Sequence, residues 1–161
     1  MSKPIRRFNF APEPSLHRFE NLKHLVGRPI SDEFNIDDIH WVTNRIGITD
    51  YEGCSEAILK GYVVINVAGE INSSAQFQAD VNPEKGPVRS TLNELATLIN
   101  KILTESDDSK IVVHCAMGME RSPLTVVWYL HSYQDMSLDE AYKMVQAARP
   151  VAVDRRYWIK E

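Results

Sequence analysis

The sequence predicts an α/β fold: a central, mostly parallel sheet with helices packed on both faces. Three observations carry that expectation. Short apolar runs rich in β-branched residues, Tyr62 to Val67 and Ile111 to Val113, read as strands buried on both sides. Longer segments carry apolar residues at helical spacing, such as Leu92, Leu95, Ile99, Ile102 and Leu103. The two kinds alternate along the chain, which is the pattern of strands joined by helical crossovers. A length of 161 residues, 43% of them hydrophobic and 25% charged, suits one folded unit with a sizeable core.

Taken in order, residues 1–40 are the least regular. Pro4, Pro12, Pro14 and Pro29 interrupt them, Lys3, Arg6 and Arg7 form a small basic cluster, and one short helix is expected from Ser15 to Leu25. They are expected to form an N-terminal arm packed on the domain that residues 41–161 build. Trp41-Val42-Thr43 and Ile46-Gly47-Ile48 read as a first strand. Thr49 to Glu52 leads into a short helix through Ala57 and Leu59, and the buried strand Tyr62 to Val67 follows. Gln76 to Ala79 is a weaker strand candidate. Asp80 to Pro87 holds two prolines and a glycine and reads as a loop before the helix of the Leu92–Leu103 stripe. Ser106 to Ser109 is an exposed turn ahead of the strand at Ile111. Leu124, Val127, Trp128 and His131 mark the next helix. Ser137 and Glu140 form a capping-box pair that opens another, with Leu138, Ala141, Val145 and Ala148 on one face. Arg149-Pro150 ends that helix, and Asp154 to Ile159 suggests a final short one.

The segment richest in chemistry is His114-Cys115-Ala116-Met117-Gly118-Met119-Glu120-Arg121-Ser122-Pro123, placed between a strand and a helix. A loop closed between Cys115 and Arg121 can turn its backbone N–H groups inward, with the positive end of the following helix adding to them. Arg121 offers a planar fork for two anion oxygens. Cys115 then lies under the bound anion, in a field that favours thiolate over thiol. A nucleophile beneath a bound phosphoryl group is the arrangement that phosphate-ester hydrolysis needs. The phosphate-binding residues on this reading are Ala116, Met117, Gly118, Met119, Glu120 and Arg121. Gly118 suits a positive φ. Ser122 can donate to the Cys115 sulfur, and it can equally cap the helix. Pro123 fits the first helical turn. The plainer alternatives, a buried small cysteine and a surface arginine, do not account for the whole constellation.

These residues resemble the signature of the cysteine-dependent protein tyrosine phosphatase superfamily: His-Cys, five residues, Arg, then Ser or Thr. Gly118 and the Arg-Ser-Pro ending look like the dual-specificity branch, and the resemblance covers roughly Trp41 to Trp158. It implies the dual-specificity phosphatase fold and a two-step, metal-free hydrolysis through a phosphocysteine, with no cofactor. It also implies that His114 supports the loop and helps lower the Cys115 pKa. A general acid is expected from the loop before the preceding helix, where the carboxylates are Asp80 and Glu84, 35 and 31 residues upstream of Cys115. The family usually supplies an aspartate directly after a strand, roughly thirty residues upstream. Asp80 has the residue type and the place, and Glu84 has the spacing. Asp80 is preferred, with Glu84 as the alternative acid.

Glu120 departs from the otherwise neutral loop. Facing the site, it would oppose an anionic substrate and raise the Cys115 pKa; facing outward, it would fix a neighbouring cation, and the outward reading is preferred. Phosphatases of this superfamily that act on inositol phosphates or RNA 5′-triphosphate carry more basic sites than this loop with its single Arg121, which lowers both substrate classes. A sulfur-transfer enzyme of the rhodanese type is disfavoured by the His-Cys start and the Arg-Ser-Pro ending. The leading expectation is a protein phosphatase acting on phosphotyrosine, with phosphoserine or phosphothreonine also open. A phosphate-binding module with little turnover is the alternative. Expected partners are a phosphorylated protein or a small phosphate ester. A net charge of −4 disfavours nucleic acid, and no apolar run is long enough for a bilayer span. Two cysteines make no disulfide framework, so a reducing, cytoplasmic setting fits, and oligomeric state is left open. Some family members carry a protective second cysteine after the buried strand. Val67-Ala68-Gly69 has none, and Cys54 reads as a helix residue facing the sheet.

Overall fold

The computed structural model describes residues 29–159. The helix expected from Ser15 to Leu25 and the basic cluster at Lys3, Arg6 and Arg7 lie outside them. The described part begins with an irregular stretch and then a hairpin, His40–Trp41 (β1) and Ile46–Thr49 (β2), paired antiparallel with Trp41 opposite Gly47. The expectation of one strand over Trp41 to Ile48 is thus corrected to two. The turn between them is made by Thr43, whose hydroxyl accepts hydrogen bonds from the N–H groups of Arg45 and Ile46. A threonine that bonds its own downstream backbone offers the chain a turn instead of a ladder.

After β2, Asp50 accepts from the Gly53 N–H and opens a single 3₁₀ turn that runs into Cys54–Leu59 (α1). Val63–Asn66 (β3) and the two-residue Phe77–Gln78 (β4) follow. Then come Arg89–Glu105 (α2), Ile111–His114 (β5), Arg121–Tyr133 (α3) and Leu138–Ala148 (α4), with a last 3₁₀ turn at Arg156–Trp158. The expected capping box at the start of α4 is present, Ser137 and Glu140 each bonding the other's backbone.

The strand order is β1-β2-β5-β3-β4, antiparallel only at the β1–β2 pair. This is the mostly parallel sheet that the sequence predicts. Side chains alternate across it as the two-residue period requires. Ile46, Ile48, Ile65, Ile111 and Val113 join the core that contains the buried stripe of α2 and residues of α3 and α4. Val64 and Val112 point the other way and pack with Cys54 and Ala57 of α1. Helix α3 is buried continuously from Ser122 to Leu130, not along one stripe. It lies at the centre of the larger core, and the Trp128 indole N–H ties it to Asn93 of α2 at 2.7 Å.

The parallel register brings three strand ends together. Thr49 of β2 and Asn66 of β3 are both partners of His114 of β5. Loops leaving the carboxyl ends of neighbouring parallel strands therefore meet over one place, which is where such sheets build their sites.

Candidate active site

Cys115 follows β5 directly and is almost wholly buried. Its sulfur lies 3.2 Å from the Ser122 hydroxyl, in the first turn of α3. Burial works against the thiolate. The Ser122 hydroxyl and backbone N–H, the Arg121 charge and the Gly118 N–H outweigh it, and the Cys115 thiol is held below its ordinary pKa. Of the two readings left open for Ser122, the bond to sulfur is present.

The loop owes its shape to its carbonyls, each of which has a donor outside the cradle. His114 Nδ1 meets the Cys115 carbonyl at 2.9 Å. The Tyr51 N–H donates to Ala116, and Arg149 to Met117 and Gly118. The Val153 N–H donates to Met119 and the Leu124 N–H to Glu120. With the carbonyls drawn outward, the N–H groups of the same peptides are left to face the interior. Gly118 has φ +70°, and a Cβ there would lie 2.7 Å from the Thr49 carbonyl and 2.6 Å from Arg149. Conformation and close approach both require glycine.

His114 is fully buried, and burial lowers its pKa. A carbonyl only accepts, so Nδ1 carries the proton, and Nε2 then accepts from the Ser73 hydroxyl at 3.0 Å. The histidine is thus neutral and bonded at both nitrogens, one of them to the loop's first carbonyl.

Arg121 is half-buried, and its fork is engaged. Nη1 and Nη2 donate to the two carboxylate oxygens of Glu70, both at 2.7 Å. That pairing holds the Glu70 carboxyl below its usual range. Glu70 was not singled out from the sequence. It sits four residues beyond Asn66, and the β3–β5 register places the two loops side by side. The signal available in the sequence was its place just after a strand that ends beside the cysteine strand.

Glu120 turns onto Arg155, which donates to one carboxylate oxygen from Nε at 3.0 Å and Nη2 at 2.5 Å. This is the outward arrangement the sequence reading preferred. Its partner Arg155 stands just before the last 3₁₀ turn. Asp80 lies two residues after β4 and packs over Gly69, where a Cβ would meet its carboxyl at 2.4 Å. It accepts from the Gly69 N–H at 3.1 Å and from Lys85 Nζ at 2.8 Å. Lys85 above all holds the Asp80 carboxyl below its ordinary pKa, with Arg121 adding to the effect. Glu84 stands exposed in the 3₁₀ turn Pro83–Lys85, its backbone N–H bonded to Asn82. Geometry thus brings Asp80, not Glu84, against the loop that carries Glu70. Cys54 is buried on the opposite face of the sheet beside Val64 and Val112, and burial raises its thiol pKa.

Comparison with known proteins gives a consistent picture. A family model described as the dual specificity phosphatase catalytic domain matches residues 51–160. Human dual specificity protein phosphatase 16 is 30% identical over 115 residues, covering 62% of this chain and 17% of that protein. The tyrosine-protein phosphatase vhp-1 of Caenorhabditis elegans is 29% identical over 94 residues, covering 55% of this chain and 14% of that protein. The chain thus matches less than a fifth of the length of these relatives. Among solved structures, human DUSP28 superposes with a TM-score of 0.62 at 18% identity, covering 74% of this chain and 86% of that one. The human tyrosine phosphatase-like serine/threonine/tyrosine-interacting protein superposes with a TM-score of 0.63 at 17% identity, covering 75% and 90%.

Proposed function

This chain belongs to the dual specificity phosphatase catalytic-domain family, and from that premise we propose that it is a metal-independent phosphomonoesterase. Its substrates on this reading are phosphotyrosine and, with it, phosphoserine or phosphothreonine in intracellular proteins. The observation that carries the reading is the Cys115 sulfur beside the Ser122 hydroxyl, at the floor of a loop whose carbonyls are all drawn outward.

The phosphoryl group enters the cradle, and Arg121 exchanges Glu70 for two phosphoryl oxygens. The Cys115 thiolate attacks phosphorus. As the S–P bond forms, the P–O bond to the leaving group breaks, and that oxygen takes a proton from Asp80, which carries one only in the fraction of molecules whose Lys85 pairing is released. Water then attacks the phosphocysteine and gives a proton to Asp80. Sulfur departs as thiolate, stabilised by the Ser122 hydroxyl, and inorganic phosphate is released. Backbone N–H groups and Arg121 follow the developing charge on the equatorial oxygens, where fixed donors act most strongly.

A substrate panel with EDTA present tests this, with Cys115→Ser as the control. Cys115→Ser is expected to lose turnover and still bind phosphate, since the cradle remains and a serine hydroxyl is a poor nucleophile at neutral pH. Retained turnover in that variant refutes the cysteine mechanism. A second reading, a phosphate-binding module with little turnover, draws on two ion pairs: Glu70 on Arg121 and Lys85 on Asp80. Phosphate binding without hydrolysis of even an activated aryl ester would favour it.

A further inference from the structure

Arg149 was read from the sequence only as part of a helix stop. It is instead the largest wholly buried side chain of the described residues. Its guanidinium sits behind the cradle. Nε donates to the Gly118 carbonyl at 2.8 Å, and Nη2 donates to Met117 at 2.8 Å and to Ile36 at 2.9 Å. Nη1 meets His40 Nδ1 at 2.6 Å and the Asp38 carbonyl at 3.4 Å. His40 therefore accepts at Nδ1. Burial and the arginine charge push its pKa down to about 4, so the ring stays neutral at ordinary pH.

Burying a guanidinium costs several kcal/mol unless its N–H groups find acceptors. Here the acceptors include two consecutive carbonyls of the cradle itself. The Met117 carbonyl and the Gly118 N–H belong to one planar trans peptide, so they point in opposite directions. Arg149 holds the carbonyl end. The N–H end is one of the groups that stabilise the Cys115 thiolate. The Gly118 carbonyl and the Met119 N–H stand in the same relation on the next peptide.

We propose that Arg149 is a positioning residue: from behind the loop its fork sets the Met117–Gly118 and Gly118–Met119 peptides so that their N–H groups face the sulfur and the bound phosphoryl group. The proposal rests on Cys115 being the nucleophile. Its action is geometric, through hydrogen bonds to carbonyls. A lysine at 149 keeps the charge but cannot span two carbonyls, one backbone segment and an imidazole at once.

The test compares the full-length protein with Arg149→Lys and Arg149→Met, each confirmed folded by near-ultraviolet circular dichroism. Three quantities are read: the pH midpoint of Cys115 alkylation by iodoacetamide, kcat/KM on an aryl phosphate, and hydrogen exchange at the Gly118 amide. Losing a hydrogen bond to a charged sulfur is expected to raise the midpoint by about one to two pH units, with kcat/KM falling about 10- to 100-fold below it. Gly118 should exchange faster in both variants. A wild-type midpoint and wild-type Gly118 protection in folded Arg149→Lys overturn the proposal. If both variants fail to fold, the wild-type protein decides. The Gly118 amide resonance must then titrate with the Cys115 midpoint, and an amide indifferent to that titration overturns the proposal. An ordinary thiol midpoint in the wild-type protein would instead sink the nucleophile reading beneath it.

Discussion

Replacing Glu70 by glutamine should make the protein bind phosphate more tightly. The fork of Arg121 meets the Glu70 carboxylate at 2.7 Å through both nitrogens, and an incoming phosphoryl group must take its place. The Glu70 side chain is 58% exposed and that of Arg121 18%, so solvent screens the pair. Exposed ion pairs are worth about 0.2–1 kcal/mol, and two parallel bonds of good length put this one near the upper end, about 1 kcal/mol. Since about 1.4 kcal/mol is tenfold, removing the competitor should lower the inhibition constant of inorganic phosphate about fivefold. Glutamine preserves shape and one hydrogen-bond acceptor while removing the charge. The assay is competitive inhibition of aryl phosphate hydrolysis by phosphate and by vanadate. The gain should shrink as ionic strength rises. Arg121 holds the Glu70 carboxyl below its usual pKa, so Glu70 remains ionised across neutral and mildly acidic pH. The gain should therefore be constant there and vanish only as pH falls through that lowered value, where the wild-type pair releases itself. Unchanged phosphate affinity in Glu70→Gln refutes the competition argument. Weaker affinity would mean that Glu70 aims the fork and does not occupy it.

Other consequences can be checked in parallel. Asp80→Asn should slow alkyl phosphate hydrolysis by about 10²–10⁴ and a nitrophenyl ester far less, while Glu84→Gln changes little; leaving-group sensitivity in Glu84→Gln alone would reverse the assignment. Lys85 depresses the Asp80 pKa, so Lys85→Met should keep Asp80 protonated to higher pH. The high-pH limb for alkyl esters then moves upward, and an unmoved limb counts against Asp80 as the acid. Arg155→Gln releases Glu120 toward the cradle and should raise the Cys115 alkylation midpoint. Adding Glu120→Gln should restore it, and a double variant no better than the single one removes the link. Gly118→Ala forces a Cβ into the left-handed region within 2.7 Å of the Thr49 carbonyl. It should cost about 2 kcal/mol or more, lowering Tm by about 4–8 °C, and a melt within a degree of wild type would contradict that packing.

The parts of the site that were readable in the sequence are contiguous. Cys115, Gly118, Arg121 and Ser122 lie within one strand–loop–helix, and local geometry brings them together. The buried strands and the capping box were readable for the same reason. What escaped is the set of partners the topology supplies. Glu70 reaches Arg121 across 51 residues because β3 and β5 end together, and Arg155 reaches Glu120 across 35. Arg149 carried a misleading signal, since an arginine before a proline ordinarily marks an exposed helix end, and only the tertiary fold gives it buried acceptors. The hairpin at Thr43 was missed because apolar residues flank the turn on both sides, so hydrophobic pattern alone joined two strands into one.

The strand order also bears on how the chain reaches its folded state. β5 is the central strand, yet it pairs Val112 with Gly47 and Val64, residues far earlier in the chain. During synthesis β2 and β3 are made first and have no direct neighbour in each other. Both must wait, with apolar edges unpaired, until Ile111–His114 emerges to be threaded between them. Contacts of such long sequence separation slow folding and leave edges open to association with other chains. The strand that delivers the cysteine is thus also the keystone of the sheet, and on this topology the Cys115 loop is completed only in molecules whose sheet has closed.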